Sequence, residues 1–142
     1  TPGRQKETVA WPPEENKSKM RPFFLASVML IGILELVNAQ AQENREGEKI
    51  RYLIARVETL EGAAFIRNGK EYDGKTAAEH LRRKWKAAGA RVKTAEDFLT
   101  LCASFSSVSG QPYRIRFSDG KTKEAGPYFR RLLATFPVKN DP

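Results

Sequence analysis

Residues 63–80 read Ala63-Ala-Phe-Ile-Arg-Asn-Gly-Lys-Glu-Tyr-Asp-Gly-Lys-Thr-Ala-Ala-Glu-His80, AAFIRNGKEYDGKTAAEH. Asn68-Gly69 sits between two short runs, Ala63–Arg67 and Lys70–Asp73. An Asn-Gly pair is the strongest short signal for a tight hairpin turn, because both central residues must take a positive φ. Three residues past the hairpin, Thr76-Ala-Ala-Glu79 has capping-box spacing, in which a hydroxyl and a carboxylate satisfy the free amides that open a helix. A hairpin running directly into a helix, inside one short chain, specifies an α+β domain.

The flanking segments extend this reading. Upstream, Ile50, Leu53, Ile54 and Val57 recur at helical spacing with Glu43, Glu46 and Glu48 ahead of them, so residues 44–60 are expected to form a first amphipathic helix ended by Gly62. The second helix is expected over 76–88, closed by Gly89. Thr94 and Asp97 repeat the capping device, and Phe98, Leu101, Cys102 and Phe105 are expected on one face of a third helix ending near Phe105. Tyr113, Ile115 and Phe117 alternate with Arg114 and Arg116, as in a strand with one buried and one basic face. Ser118-Asp-Gly120 turns the chain. Gly126-Pro127 opens a last helix carrying Tyr128, Phe129, Leu132, Leu133 and Phe136, with Pro137 as its stop. The expectation is a small single α+β domain of about four helices and a short antiparallel sheet of two to three strands.

The N-terminal third reads differently. Phe23–Leu34 is a 12-residue apolar run, whereas a membrane-spanning helix needs roughly 20 apolar residues. Met20-Arg21 before it and Ala39-Gln40-Ala41 after it complete the order of a secretory signal peptide over 20–41, cleaved after Ala39 or Ala41. The protein is therefore expected in the periplasm or secreted. The alternative is a membrane anchor formed by uncleaved residues 22–37, with Glu35 in an unusual place for either. Residues 1–19 lack an initiator Met and are rich in Pro and charge, and read as a non-native or disordered extension. The domain is then 42–142, with 20 Lys and Arg against 13 Asp and Glu, a net of +7.

That charge admits anionic partners and selects none. One His and one Cys leave no His/Cys transition-metal site within a chain. No phosphate-binding glycine motif, nucleophile elbow or Ser-x-x-Lys pair is present, so neither a metal nor a cofactor is expected. Cys102, on an apolar helix face, reads as an inert buried thiol; its rival role, as a nucleophile with His80 as base, requires an exposed thiol.

On the second helix Ala77, Leu81, Trp85 and Ala88 share the core face. His80 and Lys84 lie together along one edge of it, and Arg83 and Lys86 point away to solvent. The basic run His80–Lys86 resembles a nucleic-acid helix, but Trp85 falls with the core and export removes most nucleic acid, so nucleic acid is not the expected partner. Ser104–Gly110, SFSSVSG, offers four hydroxyls that either cradle an anion or merely make a loop.

Phe65–Gly69 with Tyr72, His80-Leu-Arg-x-Lys84, Ala95–Phe98, Ser106-Ser-x-Ser-Gly110 and Pro112-Tyr113 together resemble the signature of the small exported bacterial proteins called domain of unknown function 5329, over residues 48–135. The resemblance implies one small domain behind a signal peptide and no established reaction. It singles out Arg67, Tyr72, His80, Arg82, Lys84, Ser106, Ser107, Ser109 and Tyr113 as polar positions of the motifs, each with a structural role as the alternative. The expectation is a non-catalytic protein that binds an anionic or glycan-like envelope component or a protein partner. Its ligand-binding residues are expected to be Arg67, Tyr72, His80, Lys84, Ser106, Ser107, Ser109 and Tyr113. The alternative is a small hydrolase or transferase with His80 as base and Ser107 or Ser109 as nucleophile.

Overall fold

The structure is a computed structural model and describes residues 22–137. Residues 1–19 and the start signal Met20-Arg21 lie outside the described residues. The chain divides into two units at Glu35/Leu36. The first helix, α1, is Pro22–Glu58, longer than the expected 44–60 because it also takes in the segment read as a leader. Met29, Leu30, Ile33 and Leu34 are exposed in the first unit. No helix of the described residues is long and apolar enough to cross a membrane.

From Leu36 onward one α+β domain forms. After α1 come β1 (Ala64–Arg67), β2 (Lys70–Tyr72), α2 (Gly74–Ala88) and α3 (Ala95–Phe98). They are followed by a π-helical turn (Leu99–Ala103), β3 (Arg114–Arg116), β4 (Thr122–Glu124) and α4 (Ala125–Leu133). The sheet order is β2-β1-β3-β4, antiparallel throughout. The sheet thus has four strands, one more than expected. The missed strand, β4, is exposed along its whole length and shows no apolar alternation; it exists through its ladder with β3.

The hairpin forms as its turn residues dictate, with φ of 51° at Asn68 and 75° at Gly69. Phe65 stands opposite Tyr72 on one side and Ile115 on the other, so one face of β1 meets the core. On the opposite face Arg116 makes a bidentate pair with Glu71 across the sheet.

The start of α2 departs from the expected Thr76. Asp73 is the N-cap, its side chain accepting from the amide of Thr76, so the helix begins two residues earlier, at Gly74. The choice is tertiary: a Cβ on Gly74 would lie 2.5 Å from the carbonyl oxygen of Val57, so only glycine allows α2 to start against the end of α1. At α3 the Thr94/Asp97 capping box forms as expected.

The third helical segment ends at Ala103 rather than near Phe105, and its buried face is different. Phe98, Leu99, Cys102 and Ala103 are buried, whereas Leu101 and Phe105 are exposed. A π turn holds more residues than an α turn, so the residues after Phe98 rotate out of the regular 3.6-residue phase on which the expected face was drawn. The core gathers Ile50, Leu53, Ile54 and Val57 of α1 with Phe65, Leu81, Phe98, Ile115 and Phe129. Glu46 of α1 is buried with it, accepting hydrogen bonds from Lys49 Nζ at 2.6 Å and from the amide of Ala95 at 2.8 Å.

Candidate functional site

Where β1, β2 and β3 meet α2 and the start of α4, the domain forms a partly open cavity of about 80 Å³. Its walls include Phe65, Ala77, Leu81, Ala103, Ala125 and Phe129, and its polar lining is Arg67, Tyr72, Thr76, His80, Arg83, Tyr113 and Arg114. Alternation places Arg67 two residues from the core-facing Phe65 on β1, and Tyr72 faces Phe65 across the hairpin. His80 comes from the edge of α2 that the helical wheel marked out. Among the described residues, no Asp or Glu lines the cavity.

The Tyr113 hydroxyl is the hub of its polar side. Lys84 Nζ donates to it at 3.3 Å and to the carbonyl of Phe105 at 3.0 Å, and His80 Nε2 lies 3.2 Å from it. Burial first, then the positive charges of Arg67, Lys84 and Arg83, pushes the His80 pKa down to about 4. His80 is therefore neutral near pH 7. The consistent assignment has the Tyr113 O–H donating to Nε2 and the ring proton on Nδ1. Burial also lowers the Lys84 pKa, with Arg67 adding to the effect and Cys102 opposing it. Burial raises the Tyr113 pKa, against the pull of Arg67.

Arg67, like Arg114 at the same cavity, has no carboxylate partner among the described residues, unlike one other arginine of the sheet and one of α4. Arg116 and Arg130 are each held by a glutamate, Glu71 and Glu96. The Nε of Arg67 is buried and has no hydrogen-bond partner among the described residues. An unpaired buried donor on a cation costs about 1–3 kcal/mol or more, and Arg67 lines a cavity that lacks a carboxylate among the described residues.

Arg67, Tyr72, His80 and Tyr113 thus come together, and Lys84 joins them through the Tyr113 hydroxyl. The serines lie elsewhere: none of Ser106, Ser107 and Ser109 lines the cavity. Ser106 is buried and its Oγ accepts from the amides of Val108 and Ser109, both at 3.4 Å. Ser109 Oγ donates to the side chain of Asn68, tying the loop to the hairpin turn, and accepts from the amide of Gln111. Ser107 is exposed. Cys102 is buried and unpaired, and burial raises its pKa, which keeps the thiol protonated and ill-suited to attack.

Arg83 was expected to point away to solvent; it is exposed and yet lines the cavity. Its spacing of three from His80 was the signal that places it beside that ring. The Phe105 carbonyl, which holds Lys84, has no side-chain signature. Arg82 faces the other way and pairs with Glu58 of α1. A second, larger cleft of about 280 Å³ runs between α1 and Trp85, Val92 and Lys93. It mixes Glu43 with Arg51 and Lys93 and contains none of the expected site residues.

Residues 44–137 match the family described as "Family of unknown function (DUF5329)". The chain belongs to this family. The matched span takes in the cavity and its Tyr113 network and leaves out the segment read as a leader. The chain is also similar to the uncharacterized protein YfeK of Salmonella typhimurium, 32% identical over 85 residues, which cover 59% of this chain and 71% of that protein. No solved structure matches.

Proposed function

We propose that this member of the family is an exported, non-catalytic binding protein that receives an anionic envelope component in the cavity bounded by Arg67, His80 and Tyr113. The observation that carries the reading is the buried, partnerless Nε of Arg67 at a cavity without a carboxylate. Charge-assisted hydrogen bonds to guanidinium groups are among the strongest polar contacts a protein makes, and an anion supplies the missing acceptor. Arg83 at the cavity and Lys84 beside it add to the positive potential, as does the net +7 of residues 42–142. Export rests on the order Met20-Arg21, apolar run, Ala39-Gln40-Ala41; N-terminal sequencing of the exported protein is expected to find a new end at Gln40 or Gln42.

The serines' place in this reading is indirect. Ser106 and Ser109 hold the loop whose stem carries the Phe105 carbonyl, and that carbonyl positions Lys84 against Tyr113. The test is calorimetric titration of the full chain with acetate and inorganic phosphate at low salt. Binding of at least one, lost by tenfold or more in Arg67→Ala with folding retained, supports the reading. Equal binding by the variant, or none by the native chain, overturns it.

A further inference from the structure

We infer that the anion is a short-chain carboxylate, its head group on the free edge of Arg67 and its hydrocarbon chain against Phe65, Leu81 and Phe129. The inference rests on the anion reading above and narrows it to one chemical class.

Three features select this class. The first is the geometry of the donor. Two paired arginines hold carboxylates through the same edge: Nε and Nη2 of Arg116 reach Glu71 at 3.0 and 2.6 Å, and those of Arg130 reach Glu96 at 3.0 and 2.6 Å. Arg67 has that Nε unsatisfied. A planar fork of two N–H groups matches the two oxygens of a carboxylate.

The second is the wall. Phe65, Leu81, Ala103, Ala125 and Phe129 are all under 9% exposed and surround the cavity. A phosphate or sulfate, polar on every side, would press oxygens against these side chains without hydrogen bonds, which is costly. A carboxylate turns only one end polar. Three arginines line the cavity, Arg67, Arg83 and Arg114, so the preference for a carboxylate over phosphate comes from the apolar wall and not from a count of charges.

The third is size: a cavity of about 80 Å³ is several times the roughly 10–15 Å³ that a single water needs, room for a carboxylate with a short hydrocarbon chain.

The test titrates the full-length protein with acetate, butanoate, hexanoate and octanoate, with inorganic phosphate and with hexanamide, the neutral relative of hexanoate. Each buried methylene is expected to tighten binding about fourfold, so hexanoate should bind about 15-fold tighter than butanoate. Octanoate should gain little more, its end projecting beyond the cavity. Arg67→Lys, which keeps the charge and loses the fork, should weaken hexanoate about tenfold, with its thermal midpoint confirming the fold. If affinity is flat along the carboxylate series, or phosphate binds as tightly as hexanoate, the chain-length inference is wrong while anion binding stands. If hexanamide equals hexanoate, the anion reading falls as well.

Discussion

Replacing Glu46 isolates the contact that fastens α1 to the start of α3. Its carboxylate is 6% exposed and accepts from the Ala95 amide at 2.8 Å and from Lys49 Nζ at 2.6 Å. In Glu46→Ala the Ala95 amide, itself buried, loses its acceptor, a cost of about 1–3 kcal/mol. The lost negative charge at a helix N-terminus adds about 0.3–1 kcal/mol. The Lys49 pair adds little, because the lysine is partly exposed. A total near 3 kcal/mol corresponds to a drop of about 12–24 °C in Tm for a domain of this size. Glu46→Gln keeps an acceptor for Ala95 and loses only the charge, so it should cost about 1 kcal/mol, or about 4–8 °C.

Thermal melts by circular dichroism at pH 7 measure both variants. Burial acts to raise the Glu46 pKa, but the hydrogen bonds from Lys49 and Ala95 outweigh it and the pKa is lowered. A carboxyl with a depressed folded pKa stabilises above its unfolded pKa and stops doing so as pH falls through the folded one. The gap between native protein and Glu46→Gln should therefore be full above about pH 4.5 and close on further acidification. Equal melting of the Ala and Gln variants, or a Glu46→Ala loss under about 3 °C, would refute the account of Ala95 as the dependent partner.

Two further outcomes follow from the same geometry. Gly74→Ala should destabilise by about 1–3 kcal/mol through collision with the Val57 carbonyl, although alanine is intrinsically the better helix former; a stabilised variant in urea titration would show that α2 does not start against α1. His80 is the single histidine, so its ring resonances can be followed by NMR. They should titrate near pH 4, and stability should decline as pH falls from about 6.5 toward 4, because the unfolded chain takes up the proton first. A midpoint near 6.5 would mean that the ring is neither buried nor beside cations.

Features written in local chemistry were legible in the sequence. Asn68-Gly69 fixes its turn through φ alone, Thr94 and Asp97 close their capping box within four residues, and the wheel places His80 and Lys84 on one edge of α2. What escaped depends on partners distant in the chain. Asp73 and Thr76 are both competent caps, and the approach of Val57 to Gly74 decides between them. The π turn after Phe98 is a change of backbone register that no residue type encodes, so Leu101 and Phe105 were assigned to the core by a period that no longer applied. β4 is polar on every side and becomes a strand only beside β3. The serine loop was ambiguous because its hydroxyls answer to Asn68 and to amides of their own turn, while the vacant donor of the cavity belongs to Arg67.

The order β2-β1-β3-β4 also governs how the molecule meets its neighbours when crowded. Both rims of the sheet are three residues long, Lys70-Glu71-Tyr72 and Thr122-Lys123-Glu124, and each carries a lysine beside a glutamate. Adding a strand from another molecule would strip water from those charges for only a few ladder bonds. The sheet is thus self-limiting: neither rim offers a strand of another folded copy a long, apolar edge to extend.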